Sequence, residues 1–160
     1  MSSKLAVISL AASLLAGVVV AQEAHPPLIT YKCTNSGGCV QQNTSVVLDA
    51  KDSKYATGSP GSRPASDYTN MGVSTKGDAL TLYHYVNGNP ASPRIYLLGA
   101  DNKYVLMSLL PGEISVDVDF SAVPCGENGA FYFSEMAADG RSNAAGGTGY
   151  CDAQCQGMTS

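Results

Sequence analysis

Residues 114–120 read Ile114-Ser115-Val116-Asp117-Val118-Asp119-Phe120, an unbroken alternation of apolar and polar side chains. This two-residue period predicts a half-buried β-strand whose four apolar side chains face a core and whose serine and aspartates face solvent. On both sides of this stretch, short runs of β-branched or aromatic residues alternate with turn-forming residues, and sequence patterns typical of helices are scarce. Several short strands of this kind predict an all-β sandwich.

Five other segments carry strand signals. They are residues 44–49, 79–86, 94–98, 104–109 and 130–136. Between two of them, Gly99-Ala100-Asp101-Asn102 predicts a hairpin turn. Residues 51–71 interrupt the pattern, because they are rich in Ser, Gly and Pro and have no periodicity. That composition predicts a mobile surface loop or a disordered linker. The glycine-rich residues 138–148 are also predicted to be loop.

The amino terminus has the pattern of a secretory signal peptide. A short basic start with Lys4 precedes an apolar stretch over residues 5–20, and small residues stand at Val19 and Ala21. We expect cleavage after Ala21, which leaves one domain over residues 22–160. A membrane span is the weaker interpretation, because the run contains Ser and Gly and is short against the roughly 17–25 residues that a bilayer requires. The protein is therefore expected to be secreted, outside any membrane.

Composition narrows the class of partner. Nine Lys and Arg against 13 Asp and Glu give the 160-residue chain a net charge of −4. Nucleic acid is not expected as a partner, because phosphate binding requires clustered basic residues. Two histidines and a lone Cys151-x-x-x-Cys155 pair do not make a zinc site, and neither a metal nor a cofactor is predicted. We expect a monomer.

The chain has five cysteines, an odd number for an oxidising compartment. Cys33 and Cys39 bracket a turn-forming segment and can close a small disulfide loop. At least one of Cys125, Cys151 and Cys155 then stays unpaired, either as a buried structural thiol or because its partner is missing.

Other motifs carry weaker signals. Asn43-Thr44-Ser45 is an N-glycosylation sequon. His84 falls on the apolar face of its strand, where a packed or hydrogen-bonded histidine is favoured over a ligand. Asp117 and Asp119 share a strand face, and glycoside hydrolysis uses paired carboxylates. The favoured interpretation is that they keep that face solvated.

Matches that follow one another in order resemble the start of fungal glycoside hydrolase family 7 cellulases. They cover residues 24–33, 37–39, 45–49, 72–80, 93–98, 115–119, 123–133 and 149–155. The resemblance implies a concanavalin-like jelly-roll β-sandwich, here only its N-terminal portion. It also implies retaining hydrolysis of β-1,4-glucosidic bonds, with cellulose or another β-1,4-glucan chain as the partner.

The resemblance also assigns residues. In the family, both catalytic carboxylates lie in a Glu-x-Asp-x-x-Glu motif, which no glutamate of this sequence begins, so no catalytic residue is assigned and the 160-residue chain is expected to be inactive alone. The residues matching substrate-binding positions are Arg94, Asn128, Tyr132, Tyr150, Asp152 and Gln154. A local Cys33–Cys39 disulfide is implied, with downstream partners for the other three cysteines.

Two alternatives to a glucanase remain at this stage: a non-catalytic carbohydrate-binding remnant and an unrelated secreted structural protein. Residues 51–71 stand where the family has a tryptophan-bearing, cysteine-rich segment, and the chain has no Trp. This replacement and the short sequence after Cys155 fit either a gene-model error or a genuine truncated product. An incomplete sandwich is expected to expose unpaired strand edges, which favours association.

Overall fold

A computed structural model describes residues 22–52 and 54–150. Strands dominate the regular structure of these residues, and they pair into four antiparallel two-stranded sheets. The pairs are β1 (Thr30–Cys33) with β2 (Cys39–Gln42), β3 (Ser45–Leu48) with β8 (Ile95–Leu98), β4 (Val73–Lys76) with β5 (Ala79–Leu82), and β6 (Tyr85–Val86) with β7 (Asn89–Pro90). One short helix, α1, spans Ala65–Asn70, and 3-10 turns span Gly140–Ser142 and Ala144–Gly146.

The core is built on both faces of β3. Val46, Val47 and Leu48 are fully buried, and β-branched residues suit such a packed strand. Alternation sends Val46 and Leu48 to one side and Val47 to the other. The first side packs against Tyr68, Met71 and Val73, whereas the second packs against Leu98, Tyr104 and Ala144.

The prediction of a mobile or disordered segment over residues 51–71 is wrong for its described residues. This segment contains α1 and buries Arg63, Asp67, Tyr68 and Met71. Burial alone raises the pKa of Asp67, but hydrogen bonds from the backbone N–H groups of Gly58 and Thr57 and from the Thr57 hydroxyl outweigh burial and lower it. Composition missed this order because it records which residue types are present and not which of them form hydrogen bonds with one another.

Arg63 is neutralised by the N-terminal segment. Its Nη1 lies 3.2 Å from Glu23 Oε1, and both side chains are inaccessible to solvent. The guanidinium also donates to the carbonyl oxygens of Leu48 and Asp49, each at 3.0 Å. Glu23 in turn accepts the Tyr68 hydroxyl at 2.6 Å and the Gly61 N–H at 2.5 Å. This network fastens the N-terminal segment and the α1 region to the end of β3.

The strand predictions for residues 44–49 and 94–98 are confirmed by β3 and β8. The single strand predicted over residues 79–86 is instead β5 and β6, because β5 pairs with β4 whereas β6 pairs with β7. The turn at residues 99–102 is present, with the Asn102 N–H donating to Gly99 at 3.0 Å. The prediction for residues 138–148 is confirmed apart from the two 3-10 turns.

Three predicted strands form no ladder among the described residues: 104–109, 114–120 and 130–136. Only Tyr104 makes an isolated bridge, to Leu98. The expected core face of residues 114–120 is 40–53% exposed. Alternation decides which side chains share a face, but a strand also needs a hydrogen-bonded neighbouring strand, and no described segment pairs with these residues as a ladder.

The Cys33–Cys39 disulfide is confirmed, with an S–S distance of 2.02 Å. Among the described residues Cys125 is a free, exposed thiol, so the buried-thiol interpretation is wrong for this residue. Residues 1–21 and 151–160 lie outside the described residues, and the predictions for the signal peptide, Cys151 and Cys155 stay predictions. In the described part of the chain, every helix is too short or too polar to traverse a bilayer.

Candidate functional site

Arg94 lies just before β8 and stacks on an aromatic ring from the end of the described chain. Its guanidinium carbon is 4.2 Å from the Tyr150 ring centroid, a favourable cation–π distance. The Tyr150 and Tyr132 hydroxyls are 3.0 Å apart and hydrogen-bonded. The Tyr96 ring completes the surface, 5.7 Å from the Tyr150 ring. We call Arg94, Tyr96, Tyr132 and Tyr150 the tyrosine wall.

The tyrosine wall is fixed from behind by buried groups. Tyr96 packs edge-on against Tyr104, with ring centroids 5.4 Å apart, and its hydroxyl donates to Asp49 Oδ2. Burial raises the pKa of the Tyr96 phenol, and the bond to Asp49 raises it further. Tyr96 therefore stays neutral and acts as a hydrogen-bond donor that orients the wall.

Two aspartates from the end of β3 hold Arg94. Its backbone N–H donates to Asp52 Oδ2 at 2.6 Å, and its Nη1 lies 4.0 Å from Asp49 Oδ2. Burial raises the pKa of Asp52, and the hydrogen bond from Arg94 offsets part of that rise. For Arg94 itself, burial lowers the pKa, but electrostatic interactions with the three wall tyrosines and with Asp49 more than compensate. The side chain keeps its charge and is 39% exposed, so it remains available to a ligand.

A second cluster holds the segment that carries Tyr132. Glu127 accepts the Tyr85 hydroxyl at 2.7 Å, and its other oxygen lies 3.3 Å from His84 Nε2. The opposite ring nitrogen of His84 is 3.1 Å from the Ser92 hydroxyl. The hydrogen-bonded interpretation of His84 is confirmed. These contacts tie residues near 127 to β6.

The structure brings three of the six predicted substrate-binding residues together: Arg94, Tyr132 and Tyr150. Asn128 is exposed beside Glu127, and Asp152 and Gln154 lie outside the described residues. Asp117 and Asp119 are both exposed, and the hydroxyl and N–H of Ser121 lower the pKa of Asp119. In residues 22–52 and 54–150, His, Cys, Asp and Glu side chains form no cluster suited to a metal ion.

Sequence reasoning missed Asp49 and Tyr96. A signal for Tyr96 existed, because it stands two residues after Arg94 and strand residues at that spacing share a face. No local signal identified Asp49, whose position at a strand end resembles an ordinary turn aspartate. Its contact with Tyr96 spans 47 residues of sequence and exists only in the folded chain.

Comparisons with known proteins give one consistent result. Residues 62–159 match the sequence model of glycosyl hydrolase family 7. A probable endo-β-1,4-glucanase, celB, of Aspergillus clavatus is 45% identical over 84% of this chain and 41% of its own length. Endoglucanase EG-1 of Trichoderma longibrachiatum is 44% identical over 83% of this chain and 36% of its own length. The chain thus spans about two fifths of the curated relatives that it matches.

Solved structures agree with the sequence relatives. An endoglucanase I complexed with cellobiose superposes with a TM-score of 0.69 at 31% identity, over 84% of this chain and 43% of its own. The native Humicola insolens endocellulase EGI superposes with a TM-score of 0.66, at the same identity and coverage. The predicted fold class, part of a concanavalin-like jelly-roll β-sandwich, is confirmed.

Proposed function

Because the chain belongs to glycosyl hydrolase family 7, we propose that it is part of a secreted, monomeric glucanase domain that hydrolyses β-1,4-glucosidic bonds of cellulose with retention of configuration. Its relatives are named as endo-β-1,4-glucanases, and one similar structure is complexed with cellobiose. The alternative of an unrelated secreted structural protein is wrong, because the family match covers more than half of the chain.

In this proposal the tyrosine wall binds the glucan chain. The observation that carries it is the stack of Arg94 on Tyr150, which is itself bonded to Tyr132. A guanidinium and phenols donate hydrogen bonds to sugar hydroxyls, while the ring faces offer apolar surface in a chain without Trp. Asn128, Asp152 and Gln154 are proposed to line the same subsites.

We further propose that the 160-residue polypeptide does not hydrolyse cellulose alone. Retaining hydrolysis needs a nucleophile and an acid/base carboxyl about 5–5.5 Å apart. The sequence contains no Glu-x-Asp-x-x-Glu, and loss of such groups typically removes orders of magnitude in rate. Binding without hydrolysis is the behaviour expected of a carbohydrate-binding remnant, the second candidate function.

The first experiment uses residues 22–160 with carboxymethylcellulose and with cellotetraose. We expect no sugar release, and chemical shift changes at the wall tyrosines on cellotetraose addition. Arg94→Met should weaken binding at least about tenfold, because charged hydrogen bonds contribute roughly 1.5–3 kcal/mol. Lys76→Met, which removes an exposed charge at the end of β4, should leave binding unchanged. Sugar release would contradict the inactivity proposal, and unchanged binding by Arg94→Met would contradict the role of the wall.

Hydrolysis itself is tested with a chimera. Residues 1–150 of this chain are followed by the remaining C-terminal portion of the Aspergillus clavatus relative. We expect a folded chimera to be secreted and to release sugar from carboxymethylcellulose with retained anomeric configuration, and Arg94→Met to raise KM more than it lowers kcat. A chimera with a cooperative unfolding transition but no hydrolysis would contradict the proposal that this chain contributes to a glucanase.

A further inference from the structure

An open hollow of about 360 Å³ lies at the far end of the β3–β8 pair from Arg94. Its lining includes four residues with carboxamide side chains, Gln41, Gln42, Asn43 and Asn102, and the apolar residues Pro27, Ile29 and Ala100. The side chain of Asn43 is exposed. Mixed carboxamide and apolar surface is suited to a sugar, which presents hydroxyls on its edges and C–H groups on its faces.

Strand register explains why these residues meet. Ser45 pairs with Leu98, so the residues before Ser45 and those after Leu98 continue side by side beyond the ladder. This places Asn43 next to the turn at residues 99–102. The turn is well defined, because the Gly99 N–H donates to Lys103 at 2.8 Å and Asn102 adopts a left-handed φ of 59°.

The β1–β2 hairpin on the other side of the hollow is weakly attached. Nearly all its side chains are exposed, and its bonds to the other described residues are few. They include the Ile29 N–H to Gly77 at 2.9 Å just before β1, and a Thr30–Thr44 hydroxyl pair at 3.0 Å. A group that filled the hollow would contact both the hairpin and the 99–102 turn.

We propose that Asn43 carries an N-linked glycan whose first N-acetylhexosamine lies in this hollow and braces the hairpin against the 99–102 turn. Asn43-Thr44-Ser45 meets the acceptor requirement, with a residue other than proline in the middle. The Asn43 amide nitrogen forms a bond to the anomeric carbon of a lipid-diphosphate oligosaccharide. The bond from that carbon to phosphate oxygen breaks, the lipid diphosphate leaves with the electron pair, and the amide loses one proton.

Because the sugar would be covalently attached to Asn43, weak contacts are enough to keep it in the hollow. A sugar linked to Asn43 has a local concentration near the hollow on the order of millimolar. An intrinsic affinity of similar size therefore keeps the hollow occupied much of the time, and binding to the folded form alone favours that form. The inference rests on the proposed secretion, because glycan transfer requires entry into the secretory pathway, but it is independent of glucan hydrolysis.

The test is expression of the full chain in a fungal host, followed by endoglycosidase H trimming, which leaves one sugar on asparagine. We expect the mass of one N-acetylhexosamine at Asn43, and none in Asn43→Gln or Ser45→Ala. Amide hydrogen exchange in peptides covering residues 39–45 and 97–104 should be at least about threefold slower in the one-sugar form than in Ser45→Ala.

A matched pair of substitutions distinguishes a sugar that occupies the hollow from one that is attached to Asn43 but lies outside the hollow. Asn102→Gly keeps the left-handed backbone while removing the carboxamide, and it should abolish most of the sugar-dependent slowing. Asn87→Gly, at another left-handed asparagine with φ 51° outside the lining, should leave that slowing intact. An unmodified Asn43, equal exchange with and without the sugar, or equal slowing in Asn102→Gly would each overturn the proposal.

Discussion

Removing the charge of Glu23 is expected to destabilise the fold severely, because Glu23 neutralises the fully buried Arg63. At the observed 3.2 Å and an effective dielectric of about 20, the attraction between the two charges is roughly 5 kcal/mol. In Glu23→Gln the guanidinium keeps the two backbone carbonyls but loses the adjacent negative charge, and the remaining carboxylates are more distant. The new amide keeps one acceptor oxygen, so its NH2 group faces either the Gly61 N–H or the Arg63 and Tyr68 donors and at least one hydrogen bond is lost.

We expect Glu23→Gln to lower the free energy of unfolding by about 3 to 4 kcal/mol, the lower part of the range for breaking a buried ion pair. Because whole domains have stabilities of only about 5–15 kcal/mol, this is a large fraction. The measurement is urea unfolding of residues 22–160, followed by tyrosine fluorescence and circular dichroism. Glu113→Gln, which removes an exposed charge, is the matched control and should cost less than about 0.5 kcal/mol.

A double-mutant cycle checks the physical cause. Arg63→Met also breaks the pair, but Glu23→Gln combined with Arg63→Met removes both charges and should cost clearly less than the sum of the single changes. A loss below about 1 kcal/mol for Glu23→Gln, or strict additivity in the double variant, would refute the view that an uncompensated buried charge is responsible.

Three further changes have defined outcomes. Because hydrogen bonds lower the pKa of Asp67, its stabilisation is present above the unfolded-state pKa and is lost as pH falls through the folded-state value. Asp67→Asn should therefore flatten the fall in stability below about pH 4, and an unchanged acid profile would contradict this. Gly147→Ala places a Cβ 1.8 Å from the carbonyl oxygen that ends β3 and should cost at least about 3 kcal/mol in urea unfolding. Gly88→Ala, with a similar φ of 77° in open space, should cost much less, and equal losses would show that the clash is relieved. Glu127→Gln should lower the pKa of Tyr85, which its carboxylate raises, and an NMR titration of that ring showing no change would rule out the contact.

Local patterns predicted those elements of the fold that depend on neighbours in sequence. The β-branched run before Asp49 gave β3, and the spacing of Cys33 and Cys39 gave the disulfide. For the candidate site, family-like motifs led to Arg94, Tyr132 and Tyr150, which the structure places in contact. For β3 and the disulfide, a short window of sequence contains the physical cause, whereas the three site residues were identified by resemblance to a family.

Long-range partners could not be predicted in this way. The Arg63 partner lies 40 residues away, so a Ser/Gly/Pro-rich composition suggested disorder where the structure has a buried ion pair. Asp49 and Tyr96 meet across 47 residues. The tyrosine wall depends on such long-range contacts, and they leave no periodic pattern in the sequence.

Residues 114–120 illustrate the difference between what the sequence determines alone and what the tertiary structure decides. The sequence by itself determined its alternation, and with it which side chains share a face. Whether that face is buried depends on a neighbouring strand, and in the described structure it is half exposed. Periodicity is a property of one segment, whereas pairing and burial are properties of two, so only the tertiary structure decides them.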